Sequence, residues 1–76
     1  MRRRWLVVCV RGRWMLRDSD GASAPMTNKA AAVAAGREAA RAHHAAGGLA
    51  QLVVRRRDGR LHYEATYGKD PARRPG

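Results

Sequence analysis

The side chains with the greatest chemical reach in this sequence are its arginines. Arg55, Arg56 and Arg57 run consecutively, Arg60 follows, and Arg11 and Arg13 flank Gly12. A guanidinium is planar and permanently charged, and it can hold a phosphate through two parallel hydrogen bonds or stack on a base. Arg11, Arg13, Arg55, Arg56, Arg57 and Arg60, carried on two turns, are therefore the candidate contacts to a nucleic-acid backbone. The whole composition leans the same way, since 16 basic residues against 6 acidic ones give a net charge of +10, and an excess of that size on a small body favours polyanions. Two counter-readings stand beside this one. A chain rich in Ala, Arg and Gly reflects compositional bias, and charge at sheet edges serves to prevent aggregation. No base-reading pattern accompanies the arginines, so the contact they predict is non-specific.

Other reactive groups are few. Cys9 is the one cysteine, which excludes an intramolecular disulfide, and on an apolar strand with no base beside it a lone Cys reads as a small core residue. His43 and His44 are adjacent, so on a helix they point about 100° apart and cannot easily share an ion with His62. The acidic residues form no pair suited to acid/base work, and there is neither a Gly-rich phosphate loop nor a serine elbow. The expectation is a protein that is not an enzyme, with no metal, no cofactor and no small-molecule substrate. Three arginines precede the apolar run at 5–10, which is too short for a secretory signal and is followed by Arg11 and Arg13. No stretch approaches the roughly 20 apolar residues of a membrane span. A cytoplasmic location away from membranes is expected.

What must position the arginines is a helix with strands on either side. Residues 26–48 form the only segment long and regular enough for a helix. Alanine dominates it and has the highest helix propensity, Thr27 or Asn28 can cap its start, and Gly47-Gly48 can end it. Ala32, Val33, Gly36, Ala39, Ala40 and His43 recur on one face. That face is made of small residues, so the helix must approach a surface that supplies the bulk, and close approach would also account for Gly36. Before the helix, residues 4–10 and 13–17 read as a hairpin, with Trp5, Val7, Cys9, Trp14 and Leu16 turned to the core. Leu6, Val8 and Val10 form a second apolar face, either covered or exposed. Residues 18–25 read as a polar loop with Gly and Pro.

After the helix, residues 51–55 and 61–67 read as a second hairpin around Asp58-Gly59. Leu61, Tyr63, Ala65 and Tyr67 share one face of its last strand; Arg60, His62, Glu64 and Thr66 share the other. The expected architecture is one α+β domain over 1–68, ββαββ, in which two hairpins form a four-stranded antiparallel or mixed sheet packed on one face by the helix. Residues 69–76 are expected to be a loosely held basic tail. Chains of this length bury only about 60% of their unfolded surface, so dimerisation is an open route to stability.

The order of motifs resembles a family. Trp5-Leu-Val-Val, Gly12-x-Trp14, Arg37-Glu38, the Leu52-Val-Val-Arg-Arg-Arg-Asp-Gly-Arg-Leu segment and the closing Tyr67-Gly-Lys-Asp-Pro together are similar to DUF2188, a small bacterial family of unknown function. The resemblance covers nearly the whole chain and supports the architecture. It implies little about activity. Asn28 and Ala31 stand where the family usually has a Thr cap and a Glu three residues later, so the cap survives while the reciprocal capping box is lost. An extended Ala-Gly-Gly-Leu-Ala stretch also separates helix and third strand.

Two functions from different classes are compatible with these residues. The first is a small basic binding protein touching nucleic acid through its Arg-rich hairpins. The second is a protein-interaction or homodimerisation module using the open sheet face or an edge strand. Exposure of Leu6 and Val8 in the folded protein would favour the second.

Overall fold

The strand with the most β-branched and aromatic side chains, β1 (Arg2–Val10), lies at the centre of the sheet, as a strand apolar on both faces should. A computed structural model of the chain describes residues 2–68. After β1 come β2 (Arg13–Asp18), β3 (Ser23–Met26), the helix α1 (Lys29–Ala45), β4 (Leu49–Arg55) and β5 (Leu61–Tyr67). The sheet order is β3-β2-β1-β4-β5, with β1 and β4 parallel and the other neighbours antiparallel. The sheet is therefore mixed, and the class is α+β with one helix. The expected tail, 69–76, lies outside the described residues.

The strand count corrects the sequence reading: there are five strands, not four. β3 takes the end of the segment read as a loop and Met26, the first residue of the one read as helix; Ser23-Ala-Pro-Met has no β-branched residue and contains a proline. Proline is tolerated there because β3 is an edge strand, with Pro25 opposite Met15 and no strand on its outer side.

Local chemistry explains how each element begins and ends. Arg11 and Gly12 both have positive φ, at 53° and 81°, the pattern of a two-residue type I′ turn joining Val10 to its partner Arg13. The Asn28 side chain accepts a hydrogen bond of 2.8 Å from the Ala31 N–H, so Asn28 caps α1. At the other end the Gly47 N–H bonds the His44 carbonyl and the Gly48 N–H bonds the His43 carbonyl. With Gly47 at φ 101°, this is the Schellman arrangement expected of a Gly-Gly stop.

The core lies between α1 and one sheet face. Trp5, Val7, Ala50, Leu52 and Val54 are buried against Ala32, Gly36 and Ala40, with Trp14, Leu16, Met26, Val33, Tyr63, Ala65 and Tyr67 packed around them. Leu52, Val7 and Val54 are the largest fully buried side chains, each contributing roughly 1.5–3 kcal/mol. The helix face is the one expected from spacing. A methyl on Gly36 would meet a Leu52 methyl at 2.6 Å and a Leu16 methyl at 3.3 Å, so the glycine lets the helix backbone reach the sheet.

Leu61 departs from the expected alternation. It pairs with Arg55 whereas Tyr63 pairs with Val54, a bulge that takes Leu61 out of phase with Tyr63, Ala65 and Tyr67 and leaves it half exposed.

Candidate nucleic-acid interface

The parallel pairing of β1 with β4 decides where the arginines go. Val7 lies beside Val54 and both strands run the same way, so the turn after β1 and the turn after β4 emerge at the same end of the sheet. Arg11 and Arg13 come from the first turn, and Arg55, Arg56, Arg57 and Arg60 from the second. All six sequence-predicted residues thus share one pole. Arg55 is half-buried and the other five are exposed.

The second turn is shaped by its own residues. The Arg56 N–H bonds the Arg60 carbonyl and the Gly59 N–H bonds the Arg56 carbonyl at 2.9 Å, with Gly59 at φ 93°. The Arg55 guanidinium donates to the Gly59 carbonyl at 3.0 Å, and the Asp58 carboxylate accepts from the Arg60 N–H at 3.0 Å. The Arg60 side chain lies 3.7 Å from that carboxylate, a highly exposed pair that holds the guanidinium weakly. In the first turn, Arg11 occupies a left-handed conformation that Asn or Gly would adopt more cheaply. The pole keeps a charge where turn geometry prefers another residue.

Two further groups belong to this pole. α1 starts here, because Met26 lies beside Trp14 at the turn end of β2. Lys29 stands 5.6 Å from the Trp14 ring centroid, and its Nζ lies 2.8 Å from His62 Nδ1. That ammonium donates to a neutral ring, which places the imidazole proton on Nε2. Partial desolvation, then Lys29 and Arg56, lower the His62 pKa below its ordinary 6.5. No acidic residue sits in the first helical turn to offset the positive end of the helix dipole. Counting Lys29 with the six arginines gives seven cations, and among the described residues Asp58 is the carboxylate carried on these two turns. Beside them a shallow groove of about 590 Å³ runs between α1 and β5, walled by Lys29, Arg37, His62 and Tyr63.

The sequence could not place Lys29 and His62 here, because the strand order was open. A helical crossover between strands of one sheet returns the chain parallel, but β3, from which this one starts, does not read as a strand in the sequence. Arg2, Arg3 and Arg4 belong to the opposite end of the sheet, although they share a hairpin with Arg11 and Arg13. Arg3 is engaged there by Asp18 at 3.1 Å and Asp20 at 2.9 Å, and it lies over Trp5.

The remaining reactive groups are dispersed. His43 packs edge-on to Trp5 with ring centroids 5.8 Å apart, and His44 Nδ1 lies 3.4 Å from the Gly48 carbonyl. Cys9 is a free, half-buried thiol opposite Trp14. Among the described residues no cluster of three His, Cys, Asp or Glu could hold a metal ion, and no helix is long and apolar enough to cross a membrane.

Fold and surface together define a small two-layer α+β protein whose cations are gathered at one end of a mixed sheet. A family model described as an uncharacterized protein conserved in bacteria, DUF2188, matches residues 5–67, which takes in most of β1 and every later element. The chain belongs to that family. No match was found among curated proteins or among solved structures.

Proposed function

We propose that this is a small, non-enzymatic nucleic-acid-binding protein that grips the phosphate backbone, without sequence preference, through the pole formed by its two hairpin turns. The observation that carries the reading is the parallel β1–β4 pairing, which makes one surface of two clusters separated in sequence. A backbone crossing that end meets Arg11 and Arg13 on one side and Arg55, Arg56, Arg57 and Arg60 on the other, with Lys29 and the start of α1 behind. Phosphate contacts of this kind orient a protein on nucleic acid and carry no sequence information. The work needs no cofactor, and access to nucleic acid puts it in the cytoplasm.

The test is fluorescence anisotropy with a labelled duplex and a labelled single strand at two salt concentrations. If about five phosphates are neutralised, raising salt from about 50 to about 200 mM weakens binding by about 500-fold through counterion release. Changing Arg55, Arg56 and Arg57 together to Ala should leave about a tenfold salt effect. Absence of binding at low salt, or an unchanged salt dependence in the triple variant, refutes the reading.

A further inference from the structure

α1 covers one face of the sheet, and the other face carries a surface of a different kind. The register places Leu6, Val8 and Val10 of β1, Met15 of β2, and Leu49 and Val53 of β4 there. The bulge adds Leu61. The large hydrophobic side chains that stand exposed, Val10 at 37%, Leu49 at 41% and Leu61 at 50%, all belong to this face. Val53, near its middle, is only 6% exposed with no covering layer, while Leu6, Val8 and Met15 are half-buried. The apolar strip is therefore recessed.

Its surroundings are cationic. Arg2, Arg4, Arg13, Arg17 and Arg55 share the face by register, against one carboxylate, Glu64, which accepts from the Gln51 side chain at 3.2 Å. Even with Asp18, which borders the cleft but is paired with Arg3, the five arginines outnumber the carboxylates among the described residues here. Away from the pole, Arg2, Arg4 and Arg17 line a cleft of about 350 Å³ with Leu6 among them, beside Asp18 and Ser19. Arg4 is steadied by Gln51, to which its Nε donates at 3.2 Å.

We propose that this uncovered sheet face docks an acidic amphipathic segment of a partner protein, whose apolar side chains enter the Leu6, Val8, Met15 and Val53 strip while its carboxylates meet Arg4, Arg17 and their neighbours. Charge complementarity selects this occupant. A second copy would bring like-charged faces together. A single-stranded nucleic acid finds no ring to stack on, because both Trp and both Tyr lie on the helix side and sequence-independent single-strand binding uses such rings, while a duplex is drawn to the denser cations of the pole. A flat anionic membrane cannot reach a recessed strip, whereas protruding side chains can. Arg13 and Arg17 are four strand residues, roughly 13 Å, apart. Carboxylates eight residues apart on a helix stand about 12 Å apart, so a helix laid along the sheet matches the rim. This surface meets the proposed nucleic-acid pole only at Arg13 and Arg55, and the docking does not depend on that function.

The experiment uses the full chain and an 18-residue helical peptide with a Leu stripe flanked by Glu, followed by anisotropy. A second peptide carries Lys in place of every Glu, and anionic vesicles and a duplex serve as competitors. The acidic peptide should bind and the Lys peptide should not. Val8→Asn should weaken the acidic peptide at least tenfold. The double change R4E and R17E should abolish its binding and admit the Lys peptide, with the fold checked by circular dichroism and duplex affinity falling less than threefold. The proposal is overturned if the acidic peptide fails to bind, if both peptides bind alike, or if the double charge reversal leaves binding intact. It is also overturned if light scattering shows a dimer that Val8→Asn dissolves, if vesicles displace the peptide from the face, or if a duplex displaces it as well from a variant with Arg56, Arg57 and Arg60 changed to Ala as from the unaltered chain.

Discussion

Replacing Gly36 by Ala sets two known effects against each other, and the structure says which one wins. In an exposed helix the change would stabilise the protein by about 1 kcal/mol, because glycine gives up more backbone freedom than alanine. Here the added methyl would lie 2.6 Å from a Leu52 methyl and 3.3 Å from a Leu16 methyl, where ordinary contact between carbons is about 3.5–4.0 Å. Leu52 would have to withdraw by roughly 1 Å, but it is fully buried, and Leu16 closes the other side. Overpacking of this kind costs about 1–3 kcal/mol. The net expectation is destabilisation by about 1 kcal/mol, which lowers Tm by roughly 4–8 °C in a domain this small. Urea unfolding of the full chain measures it as a lower midpoint with an unchanged slope. A second variant locates the cause. Leu52→Val shortens the opposing side chain, and in that background Gly36→Ala should become neutral or stabilising. A wild-type background that gains stability, or a loss that Leu52→Val does not relieve, would refute close approach as the reason for the glycine.

Other expectations concern the turns, the cap and the pole. Arg11→Asn should raise stability by about 0.5–1 kcal/mol by relieving a left-handed arginine, while weakening duplex binding; thermal unfolding and anisotropy on one sample would separate the two, and a loss of stability would contradict the type I′ assignment. Asn28→Ala should cost about 1 kcal/mol, and Ala31→Glu should recover a few tenths by reaching back to the Asn28 N–H and facing the helix dipole, both read from urea midpoints. The imidazole of His62 should titrate below 6.5 in an NMR experiment and move upward in Lys29→Met. Since the folded pKa lies below the unfolded one, the contribution of His62 to stability is complete above pH 6.5 and is lost as pH falls through the lowered value. A titration at or above 6.5 would show that Lys29 and Arg56 do not act on the ring. Binding of a duplex should raise that pKa, because phosphate offsets the two cations.

Much of the architecture was legible because the relevant physics is local. The alanine run, Asn28 and Gly47-Gly48 mark the helix, and the alternation of Trp14 with Leu16 and of Tyr63 with Ala65 and Tyr67 marks the core-facing sides of two strands. β3 was hidden because an edge strand can be held by backbone pairing to one neighbour alone, which Ser, Ala and Pro permit without advertising it. Leu61 reads as sharing a face with Tyr63, Ala65 and Tyr67 because a bulge breaks alternation without changing composition. The six candidate arginines could be named from their types, but their convergence depends on the pairing of β1 with β4, which no short-range pattern encodes. Arg2, Arg3 and Arg4 show the same limit from the other side, as neighbours of Arg11 along a hairpin and yet at the far end of the sheet.

The pairing that gathers the arginines also governs how the chain can assemble. Arg2 lies opposite Leu49, and Arg4 is bonded to Gln51 at a separation of 47 residues. As the chain leaves the ribosome, β1 and β2 can close at once, but the other edge of β1 then waits for the helix and β4 to be made. At about 5–20 residues per second that interval lasts a few seconds. During it the most apolar strand of the protein presents an open edge to its surroundings. Charge at the two ends of that strand, Arg2, Arg3 and Arg4 at its start and Arg11 and Arg13 in the turn after it, is the kind of edge charge that opposes pairing with another chain until β4 arrives.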